Sequence, residues 1–184
     1  MTDAQQFEVF MHNYQNMVFS TAMRLLAHQA EAEDVVQEVF LKAYERFDQM
    51  RDNPTAGGWL KTVTTNLCLN HLSRYRSRWS FFSDLFSGHR DQDEENEIEF
   101  PADDNVEENL NRSERCAEVE QALQKLGSAQ RVPLVLYHLE GLSYEEIAAK
   151  LNVSLGKVKT DIFRGREVLR KKLQLTLGAE SRVA

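Results

Sequence analysis

LSYEEIAAKLNVSLGKVKTDIFRGREVLRKKL, residues 142–173, is the stretch on which the reading of this chain turns. Ser143 followed three residues later by Glu146 makes a capping box, in which each side chain bonds the other residue's backbone N–H, so a helix starts there. Ile147, Ala148 and Leu151 give that helix an apolar face. Asn152 then stands where the chain must turn sharply, and Asn tolerates the left-handed conformation better than most residues. Ser154 is placed to cap a second helix, whose inward stripe is Val158, Ile162, Gly165, Leu169 and Leu173. The small Ala148 lets the two helices cross closely while Val153 and Val158 wedge the turn, which is the steric logic of a helix-turn-helix. Outward, the second helix presents Lys157, Lys159, Thr160, Phe163 and Arg164, a mixture suited to phosphates and base edges in a major groove. The same pattern also describes an ordinary antiparallel helix pair with a solvated basic face.

Upstream of this segment, Val119, Ala122, Leu123 and Leu126, then Val132, Val135, Leu136 and Leu139, recur at helical steps, so a helical unit begins near Ser113. Before it the pattern dissolves. Residues 91–108 hold ten acidic and no basic side chains, which more than accounts for the net charge of −7 of the whole 184-residue chain. The segment reads as a solvated tether that buries too little apolar area to order itself. Phe81, Phe82, Leu85 and Phe86 interrupt it, either as a short helix docked on the preceding domain or as a patch awaiting a partner. Outside the acidic run the charge is positive: residues 157–172 carry seven basic side chains against Asp161 and Glu167, and residues 59–78 carry Lys61, Arg74, Arg76 and Arg78 with no acid. Such segregation is the footprint of a nucleic-acid binder.

In the N-terminal part, Phe7, Phe10, Met11, Tyr14, Val18, Ala22 and Leu25 share one helical face. A second helix carries the stripe Val35, Val36, Val39, Phe40, Ala43, Tyr44 and Phe47 and stops before Asn53, Pro54, Gly57 and Gly58, where Pro and paired Gly disfavour helix. A third runs from about Trp59 to Arg78. Trp59, Thr62, Asn66 and Asn70 line one side of it, an aromatic and amide face that, with Arg74 and Arg76 beyond, suits unstacked single-stranded bases. Equally, Trp59 is a core residue and the Asn pair a plain polar surface. Glu31, Glu33, Asp34, Gln37 and Glu38 make the start of the second helix acidic, which complements the helix dipole or offers a docking face to a basic partner. The expected fold class is all-α: two small helical domains, residues 1–79 and 113–184, joined by an acidic flexible linker, 80–112, the C-terminal domain being a helix-turn-helix.

Several classes are excluded. Cys68 and Cys116 match no metal-ligand or CxxC spacing, so neither a zinc site nor a disulfide framework is expected. No run approaches the roughly 18 apolar residues of a membrane span, and residues 1–3 do not open a signal peptide, so we expect an unprocessed protein in a reducing cytoplasm without direct membrane contact. His12, His28, His71, His89 and His138 are scattered, and no HExxH, Gly-rich phosphate loop or Ser-centred elbow occurs, so no catalytic residue and no cofactor is expected.

In this order the motifs resemble bacterial sigma factors of the extracytoplasmic-function branch, which keep regions 2 and 4, and the likeness covers nearly the whole chain. AEAEDVVQEVFLKAYERF, residues 30–47, is similar to the region 2 helix that docks on the polymerase clamp helices, which implies that Glu33, Asp34, Gln37 and Glu38 meet core RNA polymerase. GGWLKTVTTNLCLNHLSRYRSR, residues 57–78, looks like the helix that reads the minus-ten element, which implies promoter contacts by Trp59, Thr62, Asn66, Asn70, Arg74 and Arg76. Residues 48–58 correspond to the loop that captures a flipped base. Residues 142–173 resemble region 4, which implies minus-35 contacts by Lys157, Lys159, Thr160, Phe163 and Arg164. Two departures stand out: Lys157 where Thr often follows the Gly, and Asp161 where a basic residue is frequent. The acidic tether is similar in position to the linker that threads the polymerase channel. The resemblance implies a transcription initiation factor for a stress response, partnered by core RNA polymerase, promoter DNA and an anti-sigma factor, cytoplasmic and nucleoid-associated when active. A mimic that occupies a regulator without touching DNA is the alternative; the basic residues Arg74, Arg76, Lys157, Lys159 and Arg164 tell against it.

Overall fold

The structure is a computed structural model that describes residues 2–83 and 111–180, with side-chain surroundings for residues 2–74 and 115–174. Among the described residues there are eight α-helices and no strand. The chain divides into two compact units, Met1–Ser87 and Gly88–Ala184.

In the N-terminal unit, α1 (Asp3–Leu26) packs against both α2 (Gln29–Tyr44) and α4 (Ala56–Ser83), and α2 packs against α4. Helix α1 opens on a capping box: Gln5 N–H donates to the Thr2 hydroxyl at 3.3 Å and Thr2 N–H to Gln5 Oε1 at 2.9 Å. It closes on Ala27 in the left-handed conformation at φ 53°, and His28 Nδ1 accepts from Glu31 N–H at the start of α2. The core is built from Val18, Ala22 and Leu25 of α1, Ala32, Val39 and Ala43 of α2, and Leu60, Thr64 and Cys68 of α4, all fully buried. Alanines at three of these positions let the helices approach closely. The Thr64 hydroxyl is satisfied within its own helix, donating to Leu60 O at 2.7 Å.

Several expectations are corrected here. Helix α2 ends at Tyr44, and Phe47 lies on a separate turn, α3 (Phe47–Met50), that no breaker residue announces. Phe47 joins a ring cluster, 5.1 Å from Phe7 and 5.6 Å from Phe10, while Arg51 pairs with Asp3 and Asp48 and lies over the Phe47 ring. The loop read over residues 48–58 is therefore shorter, because α3 occupies its start and Gly57 and Gly58 belong to the first turn of α4. Gly57 is there for closeness: a Cβ would come within 3.1 Å of the Tyr14 ring. Tyr44, assigned above to the buried stripe, is 57% exposed. Helix α4 also continues to Ser83, past the end expected near Arg78. The acidic run at 91–108, with Leu85 and Phe86, lies outside the described residues, as do the side-chain surroundings of Phe81 and Phe82.

In the C-terminal unit, α8 (Leu155–Glu180) is the member against which α5 (Asn111–Gln124), α6 (Ser128–His138) and α7 (Tyr144–Leu151) all pack. Ile147, Val158 and Ile162 are fully buried with Leu136 and Val135 of α6. Gly165 marks the closest crossing, since a Cβ there would meet the Gln130 backbone oxygen at 3.2 Å. Arg131, only 5% exposed, donates to Leu126 O at 2.5 Å just past the end of α5, and burial lowers its pKa.

Candidate nucleic-acid interface and docking faces

The turn between α7 and α8 forms as its residues dictate. Glu146 N–H donates to the Ser143 hydroxyl at 3.2 Å and Ser143 N–H to Glu146 Oε2 at 2.8 Å. Those bonds, the backbone one first, hold the Glu146 carboxyl below its ordinary pKa. Asn152 takes the left-handed conformation at φ 53°, ψ 51°, and Val153 N–H returns to Ala148 O at 3.1 Å. Lys157 N–H then donates to the Ser154 hydroxyl at 3.2 Å, which caps α8.

With Val158 and Ile162 inward, α8 turns Lys157, Lys159 and Arg164 into solvent and leaves Thr160 and Phe163 half-buried at the edge of that face. The two departures from the family pattern prove to be one pair: Lys157 Nζ lies 3.2 Å from Asp161 Oδ2, one turn on, and the Asp161 side chain is only 14% exposed. Lys157 is thereby partly neutralised by its own helix. Lys159 and Arg164 present their charge to solvent on the described part of this face.

Helix α4 buries Leu60, Thr64 and Cys68 and exposes Thr62, Asn66, Asn70 and Arg74 on the side opposite. Trp59 is half-buried at the head of that row, neither a core residue nor a free platform. The Thr62 hydroxyl donates to Gly58 O at 3.0 Å, one turn back on the same helix. Arg76 lies on the same helix, with its side-chain surroundings outside the described residues.

Helix α2 exposes Glu33, Asp34, Gln37 and Glu38 together. Gln29 Nε2 donates to Glu33 at 2.8 Å, and Lys42 pairs with Glu38 at 3.6 Å. Glu31 behaves differently: it is half-buried and lies 3.2 Å from His71 Nε2 of α4, within ion-pair distance though not aligned as a hydrogen bond, so it ties the acidic helix to the amide-bearing one. Leu41, 66% exposed, was missed by the sequence reading. It stands four residues after Gln37 and three after Glu38, hence among the acids, and Tyr44 follows three residues later with its ring against Phe7 at 4.9 Å. The signal was present in the sequence: Leu41 lies off the apolar stripe, where a leucine has no core to enter.

Among the described residues no group of His, Cys, Asp or Glu side chains is arranged to hold a metal ion, and no helix is long and apolar enough to cross a membrane.

Residues 10–78 match Sigma-70 region 2 and residues 116–169 match Sigma-70, region 4. The RNA polymerase sigma-H factor of Pseudomonas aeruginosa is 32% identical over 94% of this chain and 88% of its own length. The ECF RNA polymerase sigma-E factor of Escherichia coli K12 is 32% identical over the same shares. The sigma factor RpoE of Bartonella quintana, solved in complex with the anti-sigma factor NepR, aligns with a TM-score of 0.48 at 23% identity, over 91% of this chain and 96% of that one. The matched regions stand in family order and the identity extends over nearly the whole length, so the chain belongs to the extracytoplasmic-function branch of the RNA polymerase sigma factors: a cytoplasmic transcription initiation factor that directs RNA polymerase to promoters, and not an enzyme.

Proposed function

We propose that three exposed faces divide the work of initiation between two domains, residues 1–79 and 113–184. The α2 face of Glu33, Asp34, Gln37 and Glu38, with Leu41 and Tyr44 as apolar anchors, docks on core RNA polymerase. The α4 row of Trp59, Thr62, Asn66 and Asn70, with Arg74 and Arg76, holds one strand of the opened minus-ten element. The α8 face of Lys157, Lys159, Thr160, Phe163 and Arg164 lies in the major groove at minus-35. The observation that carries this reading is the separation of surfaces: acids and apolar anchors on α2, amides on α4 and free cations on α8 are each turned to solvent by a helix that buries its opposite side.

The chemistry of each face fits its partner. Unstacked bases offer edges to amides and planes to an indole, each stacked base contributing about 1–3 kcal/mol. Phosphates want mobile cations, which Lys159 and Arg164 supply. Two weak DNA sites on one chain recruit one another through effective concentration, so the separate halves bind poorly. Residues 80–112 serve as the tether, and the active factor is nucleoid-associated. An anti-sigma factor is the further partner: an α2 face with two large exposed apolar side chains is one that a repressing protein covers in competition with polymerase. Run-off transcription with core polymerase and genomic promoter fragments tests the assignment. Promoter-specific transcripts that vanish when the α8 cations are replaced, while polymerase binding persists, support it; transcripts indifferent to all three faces refute it.

A further inference from the structure

Three helices of the C-terminal unit meet at one guanidinium. Arg166 leaves α8 beside the buried stripe, seven residues on from Lys159 and so on the same side of the helix. Its Nε donates to His138 Nε2 at 3.0 Å, at the end of α6. Its guanidinium carbon lies 5.6 Å from the centre of the Tyr137 ring, also on α6. Its charge also acts on the phenol of Tyr144, the first residue of α7, whose ring stacks on Tyr137 at 4.7 Å with 24° between planes. The His138 ring stands edge-on to Tyr137 at 4.9 Å and 86°. One side chain of α8 thus touches α6 twice and is linked to the first turn of α7 through the stacked Tyr137 and Tyr144 rings.

The chemistry of this node is one-sided. A guanidinium is always charged and only donates, so the His138 nitrogen that accepts from it must be without a proton. Protonating that nitrogen removes the acceptor and sets a second cation 3.0 Å from the first. The ring keeps an exposed edge, yet its partial burial and then the charge of Arg166 lower the His138 pKa from its ordinary value. Of the titratable groups around the imidazole, Tyr137 is on its own helix, Glu140 two residues on, Tyr144 on α7 and Arg166 on α8. Burial first and Tyr137 second raise the Tyr144 pKa, so that phenol stays neutral. A group whose folded pKa is depressed stabilises the fold above its unfolded value and loses that contribution as pH falls through the folded value. The window therefore opens below the ordinary histidine pKa of about 6.5.

We propose that His138 and Arg166 are positioning residues for the duplex-reading helix: the neutral imidazole and the arginine add to the buried core in fixing the angle of α8 to α6 and α7, and acidification loosens that added tie. The proposal rests on α8 being the duplex reader. It goes beyond that reading by making promoter affinity depend on a histidine of α6, outside the groove-reading helix.

The test uses the full chain with core polymerase and a promoter fragment carrying the minus-35 duplex, at about pH 7.5 and about pH 5.5, on either side of the histidine range. Wild type should lose affinity on acidification by about fivefold more than His138→Gln, the low end of a coupling between sites. The glutamine is always neutral, and its amide oxygen can still accept from Arg166. His138→Lys should show the weakened state already at pH 7.5. In parallel, the NMR titration of wild type should give His138 a value below the ordinary one, with α8 amide resonances moving on the same curve. Equal pH ratios for wild type and His138→Gln overturn the proposal, and so does a His138 that titrates at or above the ordinary value. Wild type showing no minus-35 protection at pH 7.5 overturns the underlying assignment of α8 instead. A His138→Lys chain that fails to fold leaves the decision with the glutamine variant.

Discussion

Among the described residues, Leu41 is the exposed apolar side chain with most to gain from a partner. It keeps 66% of its surface in solvent, against 57% for Tyr44 and 52% for Val9. Complete burial of a leucine side chain is worth about 1.5–3 kcal/mol, so covering the remaining two thirds contributes roughly 1–2 kcal/mol to docking. Leu41→Ala removes most of that, which corresponds to about five- to thirtyfold weaker binding of core polymerase. Folding should hardly notice. The position is exposed, alanine is the better helix former, and surface substitutions of this kind stay within about 0.5 kcal/mol. Val9→Ala is the internal control, because Val9 is similarly exposed but sits on α1. The assay is equilibrium binding of the labelled full chain to core polymerase, with a thermal melt of each variant alongside. A Leu41→Ala chain that melts like wild type and binds within twofold of it would refute the reasoning, as would an equal loss from Val9→Ala.

The other faces make their own predictions. Asn66→Ala with Asn70→Ala should impair promoter opening, read by permanganate reactivity, far more than polymerase binding, and equal loss of both contradicts the role given to α4. Replacing Lys159 and Arg164 by Ala should lower the salt slope of duplex binding by close to one unit for each phosphate no longer neutralised, and an unchanged slope counts against the α8 face. Asp161→Asn frees Lys157 from its pairing and should do the reverse, with tighter non-specific duplex binding and a steeper slope; no change would show that Lys157 already reaches the DNA. Ser143→Ala should destabilise the C-terminal unit by about 1 kcal/mol in denaturant melts, the usual worth of an N-cap. The bond from the backbone N–H of residue 143 to the Glu146 carboxylate survives in the variant; its contribution is present above the ordinary value of 4.5 and is lost in both proteins as pH falls through the lower folded value, so the gap left by the missing hydroxyl should persist in acid. A gap that closes in acid argues against the hydroxyl bond as its source.

Much of the fold was legible because it is set by local chemistry. Ser143 and Glu146 satisfy each other's N–H groups, Asn152 accepts the left-handed turn and Ser154 caps the next helix, each needing only neighbours within a few residues. The same holds for the helical stripes, whose period determines which side is buried. The exposure of the candidate residues was legible to the same degree: those read as outward on α2, on the described part of α4 and on α8 are exposed or half-buried at the edges of those faces.

What the sequence by itself determined was therefore the helices, most of their buried sides and the turn of the helix-turn-helix, since hydrogen bonds and periodicity over a turn or two decide them. The tertiary structure alone decided the rest. It ended α2 before Phe47, whose ring packs with Phe7 and Phe10, and it required Gly57 because Tyr14 lies across it. It put Tyr44 in solvent, and it made one node of Tyr137, His138, Tyr144 and Arg166, up to 29 positions apart in the chain. Contacts between residues distant in sequence depend on how the helices cross, and no local spacing encodes a crossing.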